Sequence, residues 1–436
     1  MNATRAATAR ARLRSTRPRL EAIDRSEAAL LSLGTLASGL LAYGFNVVAA
    51  RALGPETFGA VGALWAGMFL LAVLLFRPLE QAVSRAVADQ VARGGDARPA
   101  ARSVAKVGAV VTVLACAACF AAWRPLTDGL FAGHAVLTVA LVAGVAGYAL
   151  SYYVRGLTSG VRWFGGYGLV LLADGAIRFL LALPLLLWAS PAIAAVAIAA
   201  AAAGGAFAPF LTRRRSALRR LEGEPSGEFA AGAALRFAAP AAVIAGSEQV
   251  LLSGGPLLVL IAGGEGAAAA AGVLFAATLL MRAPVFLFQG VAASLLPNLT
   301  TFRAIGNEAA LHRATMRTAL VLAGFAALIV VGALACGPWA MNLMYGDGFD
   351  ATRLGLALLG FGIGAFLAAT TFSQAVLARD QAGRAALAWS IAAVVFVVAQ
   401  LSVEGTPFHR VSVAFAFASL VAAVQLIAIV WKGRVV

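Results

Sequence analysis

Arg51-Ala-Leu-Gly-Pro-Glu-Thr-Phe-Gly59 is a short polar turn between two long apolar segments, residues 28–50 and 60–76. An α-helix needs about 20 predominantly apolar residues to cross the hydrocarbon of a bilayer. Two such runs joined at Gly54-Pro55 predict a transmembrane hairpin, with Arg51 and Glu56 at its water-facing end. Outward from this turn the alternation of apolar run and polar loop repeats along the chain. It predicts spans near 28–50, 58–78, 104–122, 134–154, 166–188, 191–211, 234–262, 267–298, 317–336, 352–378, 385–402 and 409–431. The sixth is alanine-rich and weakly hydrophobic, so it is expected to pack closely against its neighbours.

Composition agrees. The chain is 61% hydrophobic and 12% charged, with a mean hydropathy of +0.89, against roughly 25% charged residues in soluble domains. The fold class is an all-α polytopic membrane protein. Its net charge of +15 does not signal nucleic acid, because the basic residues fall in alternate loops, as the positive-inside rule requires. With both termini cytoplasmic, the inner loops carry Arg77, Arg85, Arg93, Arg98, Arg102 and Lys106, then Arg155 and Arg162, then Arg213, Arg214, Arg215, Arg219 and Arg220. Arg303, Arg313, Arg317, Arg379, Arg384, Lys432 and Arg434 continue the series, whereas the opposite loops hold only Arg51, Arg124, Arg353 and Arg410. Residues 1–27 are expected to form a disordered basic tail that attracts anionic headgroups. Cys116, Cys119 and Cys336 read as helix filler, since the C-x-x-C has no second ligand pair. His134, His312 and His409 have no metal spacing and there is no P-loop, so neither a metal, a cofactor nor an enzymatic activity is expected.

The charged loop RRRSALRRLEGEPSGE at 213–228 divides the spans six and six. The expected units are a lobe at 28–212, a linker at 213–232 and a lobe at 233–432. The halves echo each other: Gly54-Pro-Glu56 opens the second span and Gly263-Gly-Glu265 the eighth, with Gln81 and Gln289 at similar depth. Repeated halves with a substrate site between them are the build of secondary transporters.

Ionisable residues inside a membrane are costly and normally face a cavity or a partner. Asp174 and Arg178 share a face of the fifth span and can pair. Glu248 lies midway along the seventh span and Arg282 midway along the eighth, so a Glu248–Arg282 ion pair is the structural reading of that arginine. Arg77, Gln81 and Arg85 form an i, i+4, i+8 stripe on the second span, which lines water or protein unless its arginines snorkel. Gly254-Gly-Pro256, Pro184, Pro78 and Gly360-x-Gly362-x-Gly364 are expected to interrupt or soften their helices.

The R-x-L-G-P-E-x-F-G turn, twelve spans in two sixes, and an eighth span ending Leu296-Pro-Asn298 together resemble the oligosaccharide-lipid flippases of the MOP superfamily. These are relatives of the lipid II flippase and of MATE exporters. The resemblance implies two six-helix lobes around a central cavity and a polyprenyl-diphosphate-linked oligosaccharide as cargo for cell-surface polysaccharide. It implies a place in a bacterial cytoplasmic membrane and partnership with a polysaccharide polymerase or glycosyltransferase. It further implies diphosphate-binding arginines on the first, second and eighth spans, which match Arg51, Arg77 and Arg282, with Arg85, Gln81 and Gln289 beside them. Coupling to H+ or Na+ would fall to Asp174, Arg178 and Glu248. Two other expectations remain open: a MATE-like exporter of cations, and a membrane scaffold for a glycan synthase.

Overall fold

The computed structural model describes residues 2–224, 231–264, 266–283, 308–377, 379 and 381–432, with side chains outside 2–26, 28, 214, 231–238, 308–315 and 432. All extended elements among them are helical. They are α1 (Asn2–Ala92), α2 (Arg98–Ala121), α3 (Ala135–Gly160), α4 (Phe164–Ala182), α5 (Pro191–Phe207), α6 (Ala231–Ala262), α7 (Ala267–Ala283), α8 (Glu308–Tyr345), α9 (Arg353–Leu377), α10 (Ala382–Ser402) and α11 (Pro407–Lys432). Gln289 and the wording at 289–303 lie outside the described residues.

The hairpin hangs on one residue. Helix α1 is broken at Gly54, whose φ of 71° and ψ of 169° only glycine adopts readily. Phe45 and Trp65 stack with ring centroids 5.4 Å apart, whereas twenty residues of straight helix would separate them by about 30 Å. The chain therefore doubles back, and α1 supplies two spans, the first arm before Gly54 and the second arm after it. Ten helices are long and apolar enough to cross a membrane, α1 among them. Counting its two arms and adding the shorter apolar α7, the multi-pass protein has twelve transmembrane helices in two lobes of six. The two arms of α1 pack with α2 to α5, and α6 and α8 to α11 pack together, with Met281 of α7 lying against Gly360 of α9. In contrast to the expected disordered tail, α1 runs back to Asn2; alanine, arginine and leucine, which fill that stretch, are strong helix formers.

Linker residues Arg213–Leu221 form a 3₁₀ helix that folds back on the first lobe. The Asp96 amide donates to the Glu224 carbonyl at 2.7 Å and the Ala97 amide to that of Leu221 at 2.9 Å. Arg98 grips Asp96 and reaches Glu222, and its guanidinium holds the Asp96 carboxyl below the usual carboxylate range. This contact strengthens above the unfolded carboxylate pKa and is lost as pH falls through the lowered folded one.

The expected helix interruptions take a different form. Helix α6 runs unbroken through Gly254-Gly-Pro256, and a Cβ built on Gly255 would meet Val411 at 2.5 Å. A Cβ on Gly362 would meet Phe415 at 2.5 Å and one on Gly364 would meet Ala326 at 2.2 Å. These glycines let helices cross closely, the use of small residues where lipid supplies no hydrophobic drive. Pro184 does end α4, which tightens into a 3₁₀ turn at Leu183–Leu186.

Candidate site between the lobes

At the Gly54 end the lobes are sealed. A Cβ on Gly59 would sit 1.9 Å from the Ala268 carbonyl oxygen, and one on Gly272 would sit 2.0 Å from that of Pro55. The second arm and α7 therefore meet backbone to backbone through reciprocal glycines. Around them Phe58 packs on Phe275 (5.6 Å between ring centroids) and Phe349 (5.8 Å), and Phe349 on Tyr345.

Arg51, read from the sequence as a cargo ligand, is committed here to the main chain. Its Nε donates to the Met344 carbonyl at 2.9 Å and an Nη to that of Leu343. Those carbonyls belong to the last turn of α8, where intrahelical donors run out and a cation meets the negative end of the helix dipole. Arg410 does the same for α10, donating to the Gln400 carbonyl at 2.8 and 3.0 Å, and Arg353 donates to that of Leu334. Three of the four arginines that break the loop charge pattern thus satisfy helix carbonyls. Exchanging Arg51 for Gln is expected to loosen the Gly54 end, read as faster maleimide labelling of a cysteine placed at Phe349 in that background.

Beneath the seal, Tyr43 of the first arm reaches toward Tyr345 and stands within electrostatic range of Arg282 on α7. The hydroxyls of Tyr43 and Tyr345 are buried and face each other, and Arg282 is half-buried and makes no hydrogen bond or ion pair among the described residues. The Glu248–Arg282 pair does not form. Glu248 instead lies within electrostatic range of Arg77, across the lobe boundary. Here α6 lies against the second arm, with Gly246 beside Leu74. The geometry of the helices explains the mismatch: Arg282 points toward the first arm rather than toward its sequence neighbour α6.

Depth ranks these arginines. Arg282 follows the start of α7 by fifteen residues, roughly 22 Å of helix, whereas Arg77 lies twenty-three residues past Gly54, roughly 34 Å, a full hydrocarbon thickness. Arg77 is exposed, as are Arg85 and Arg51, and Gln81 is half-buried beside them. A guanidinium at Arg77 reaches headgroups readily, whereas Arg282 starts about 8 Å inside the hydrocarbon.

Inside the first lobe the predicted Asp174–Arg178 pair forms at 2.6 Å, with Arg178 also donating to the Tyr148 hydroxyl at 2.9 Å and lying over the Trp65 ring at 4.4 Å. The sequence reading missed a second buried pair. Arg155 was assigned to a loop, yet it sits within α3, 2.9 Å from Glu80 and 2.8 Å from the Tyr167 hydroxyl. The signal was present in Glu80, an acid among the arginines of the second arm. Removing one partner of a buried pair costs about 3–5 kcal/mol, whereas replacing both with apolar groups is near neutral. Asp174→Asn is therefore expected to lower the detergent-solubilised melting temperature markedly, and Asp174→Leu with Arg178→Met to restore it.

No family model matches the chain. An uncharacterized protein of Mycobacterium bovis, Mb3654, and one of Mycobacterium tuberculosis, Rv3630, are each 26% identical over 349 residues, covering 78% of this chain and 77% of theirs. Among solved structures, an inward-facing multidrug resistance MATE family transporter of the MOP superfamily superposes with a TM-score of 0.68 at 15% identity, covering 94% of this chain and all of that one. The lipid II flippase MurJ, in an inward closed conformation, gives a TM-score of 0.69 at 14% identity over 92% of this chain and 87% of that one. The eukaryotic MATE transporter AtDTX14 gives 0.63 at 15% identity, covering 94% and 95%. The chain has the fold that MATE transporters and MurJ share.

Proposed function

We propose that this protein is a flippase that carries a polyprenyl-diphosphate-linked oligosaccharide across a bacterial cytoplasmic membrane for cell-surface polysaccharide, by alternating access between its lobes. The observation that carries the reading is Arg282: a guanidinium within a membrane span, with no carboxylate partner among the described residues and two buried phenols nearby. Buried charge without a partner is costly, and an anionic cargo is the partner that removes the cost. A diphosphate accepts bidentate hydrogen bonds from guanidinium and single ones from phenols.

The alternation of basic loops puts both termini and the Gly94 loop in the cytoplasm. The sealed Gly54 end then faces outward, and cargo loads from the cytoplasmic side past the Arg77, Gln81 and Arg85 stripe. Arg51 is freed from α8 when the outer end opens and meets the headgroup there. Glu248, opposite Arg77, is the candidate carrier of H+ or Na+ coupling, with Asp174 and Arg178 holding the lobe in shape. A polysaccharide polymerase or glycosyltransferase is the expected partner in the pathway.

A second reading, a MATE-like exporter of cations, draws on the MATE neighbours and on Glu248, which makes no hydrogen bond among the described residues. Deleting the gene separates them. The flippase reading expects a lipid-linked sugar to accumulate on the cytoplasmic leaflet with drug sensitivity unchanged. Altered drug sensitivity without such accumulation would favour the exporter.

A further inference from the structure

A groove of about 460 Å³ runs along the flank of the first lobe, lined by the second arm, α2 and α3. Its walls are Leu79 of the second arm, Gly108, Ala109 and Thr112 of α2, and Ala149 and Tyr153 of α3. Small side chains on α2 open it, and the lining is almost wholly apolar: Thr112 spends its hydroxyl on the Gly108 carbonyl at 2.7 Å. Helix α2 is little buried by the rest of the protein, so the groove opens to the acyl region of the bilayer.

Its mouth is cationic. Arg102 and Lys106 are exposed, lie one turn apart on α2, and make no hydrogen bond or ion pair among the described residues. Arg102 stands within electrostatic range of Tyr153, which lines the groove, and Lys106 lies one turn before Ala109. Apolar depth beneath a basic rim at the end of a span is the chemistry that recognises an acidic lipid.

We propose that this groove is a binding site for an anionic phospholipid, one acyl chain lying between α2, α3 and the second arm and the phosphate resting against Arg102 and Lys106. The site is separate from the lobe boundary and stands whichever cargo the protein carries. A lipid held there would steady α2, whose own packing against the lobe is thin.

The test uses the full chain in nanodiscs of equal palmitoyl-oleoyl phosphatidylglycerol and phosphatidylcholine, with retained lipid counted by native mass spectrometry after release. The wild type is expected to retain phosphatidylglycerol over phosphatidylcholine. Arg102→Gln with Lys106→Gln is expected to reduce that preference about tenfold. Ala109→Trp, at an exposed lining position, is expected to reduce retention of both lipids by filling the groove. Arg384→Gln, a loop-end cation elsewhere, is expected to change little. Equal losses from Arg384→Gln and the double variant would mean general interfacial attraction and overturn the site, as would full retention in Ala109→Trp. Retention of a second copy or a peptide instead of lipid would overturn it as well. Unchanged melting temperatures of the variants keep a folding defect from imitating the loss.

Discussion

Gly272→Leu is expected to abolish transport while leaving each lobe folded. A Cβ at Gly272 would already lie 2.0 Å from the Pro55 carbonyl oxygen, and one at Gly59 would lie 1.9 Å from that of Ala268. The atoms in the way are backbone, which cannot rotate aside. A leucine at either position forces the second arm and α7 apart, and overpacking of this kind costs about 1–3 kcal/mol even where side chains can yield. Each ~1.4 kcal/mol shifts a two-state ratio about tenfold, so the sealed state is depopulated at least about fivefold. Cysteines replacing Phe58 and Phe349, whose rings now lie 5.8 Å apart, report this directly. They should crosslink readily in the parent background and poorly with Gly272→Leu or Gly59→Leu. Gly67→Leu is the control, because a Cβ there meets nothing within 4 Å. Undiminished crosslinking in Gly272→Leu would mean that the glycine contact is not what closes this end.

The second large effect is expected at Arg282. A hydrogen bond to a charged group contributes roughly 1.5–3 kcal/mol, and a bidentate contact makes two. Arg282→Gln is therefore expected to weaken binding of a polyprenyl diphosphate by at least about a hundredfold. Arg282→Lys keeps the charge and loses the fork, so an intermediate loss is expected. Tyr43→Phe and Tyr345→Phe each remove one buried hydroxyl and keep the ring, and a loss of up to about tenfold apiece follows if those hydroxyls donate to the cargo. If they serve only each other, binding is unchanged and both variants lose a little stability, because one buried hydroxyl is left without its neighbour. Binding by microscale thermophoresis in detergent, beside a melting curve, distinguishes the two.

The fold was legible because lipid imposes a simple code. Runs of about twenty apolar residues and a charge bias between loops suffice for a twelve-helix bundle, and Gly54 announced the hairpin. What could not be read was the function of small residues within spans. Gly254, Gly255, Gly362 and Gly364 look in sequence like points of bending, and only the neighbours they touch reveal them as crossings. Side-chain pairing was half legible. Asp174 and Arg178, four residues apart on one helix, were bound to meet. The partners Glu80 and Arg155 lie 75 residues apart and carry no periodic mark, while Glu248 and Arg282 sit on consecutive helices and face different ways. Arg51 was found by its motif, but its bond to the α8 carbonyls depends on where the second lobe places a helix end.

The most direct test is transbilayer movement of a fluorescent polyprenyl-diphosphate sugar in proteoliposomes, compared with that of the corresponding monophosphate and an uncharged prenol-linked sugar. The account predicts rapid movement of the diphosphate, slower movement of the monophosphate, and loss of that preference in Arg282→Gln. Equal rates for all three probes, or a diphosphate rate untouched by Arg282→Gln, would contradict it.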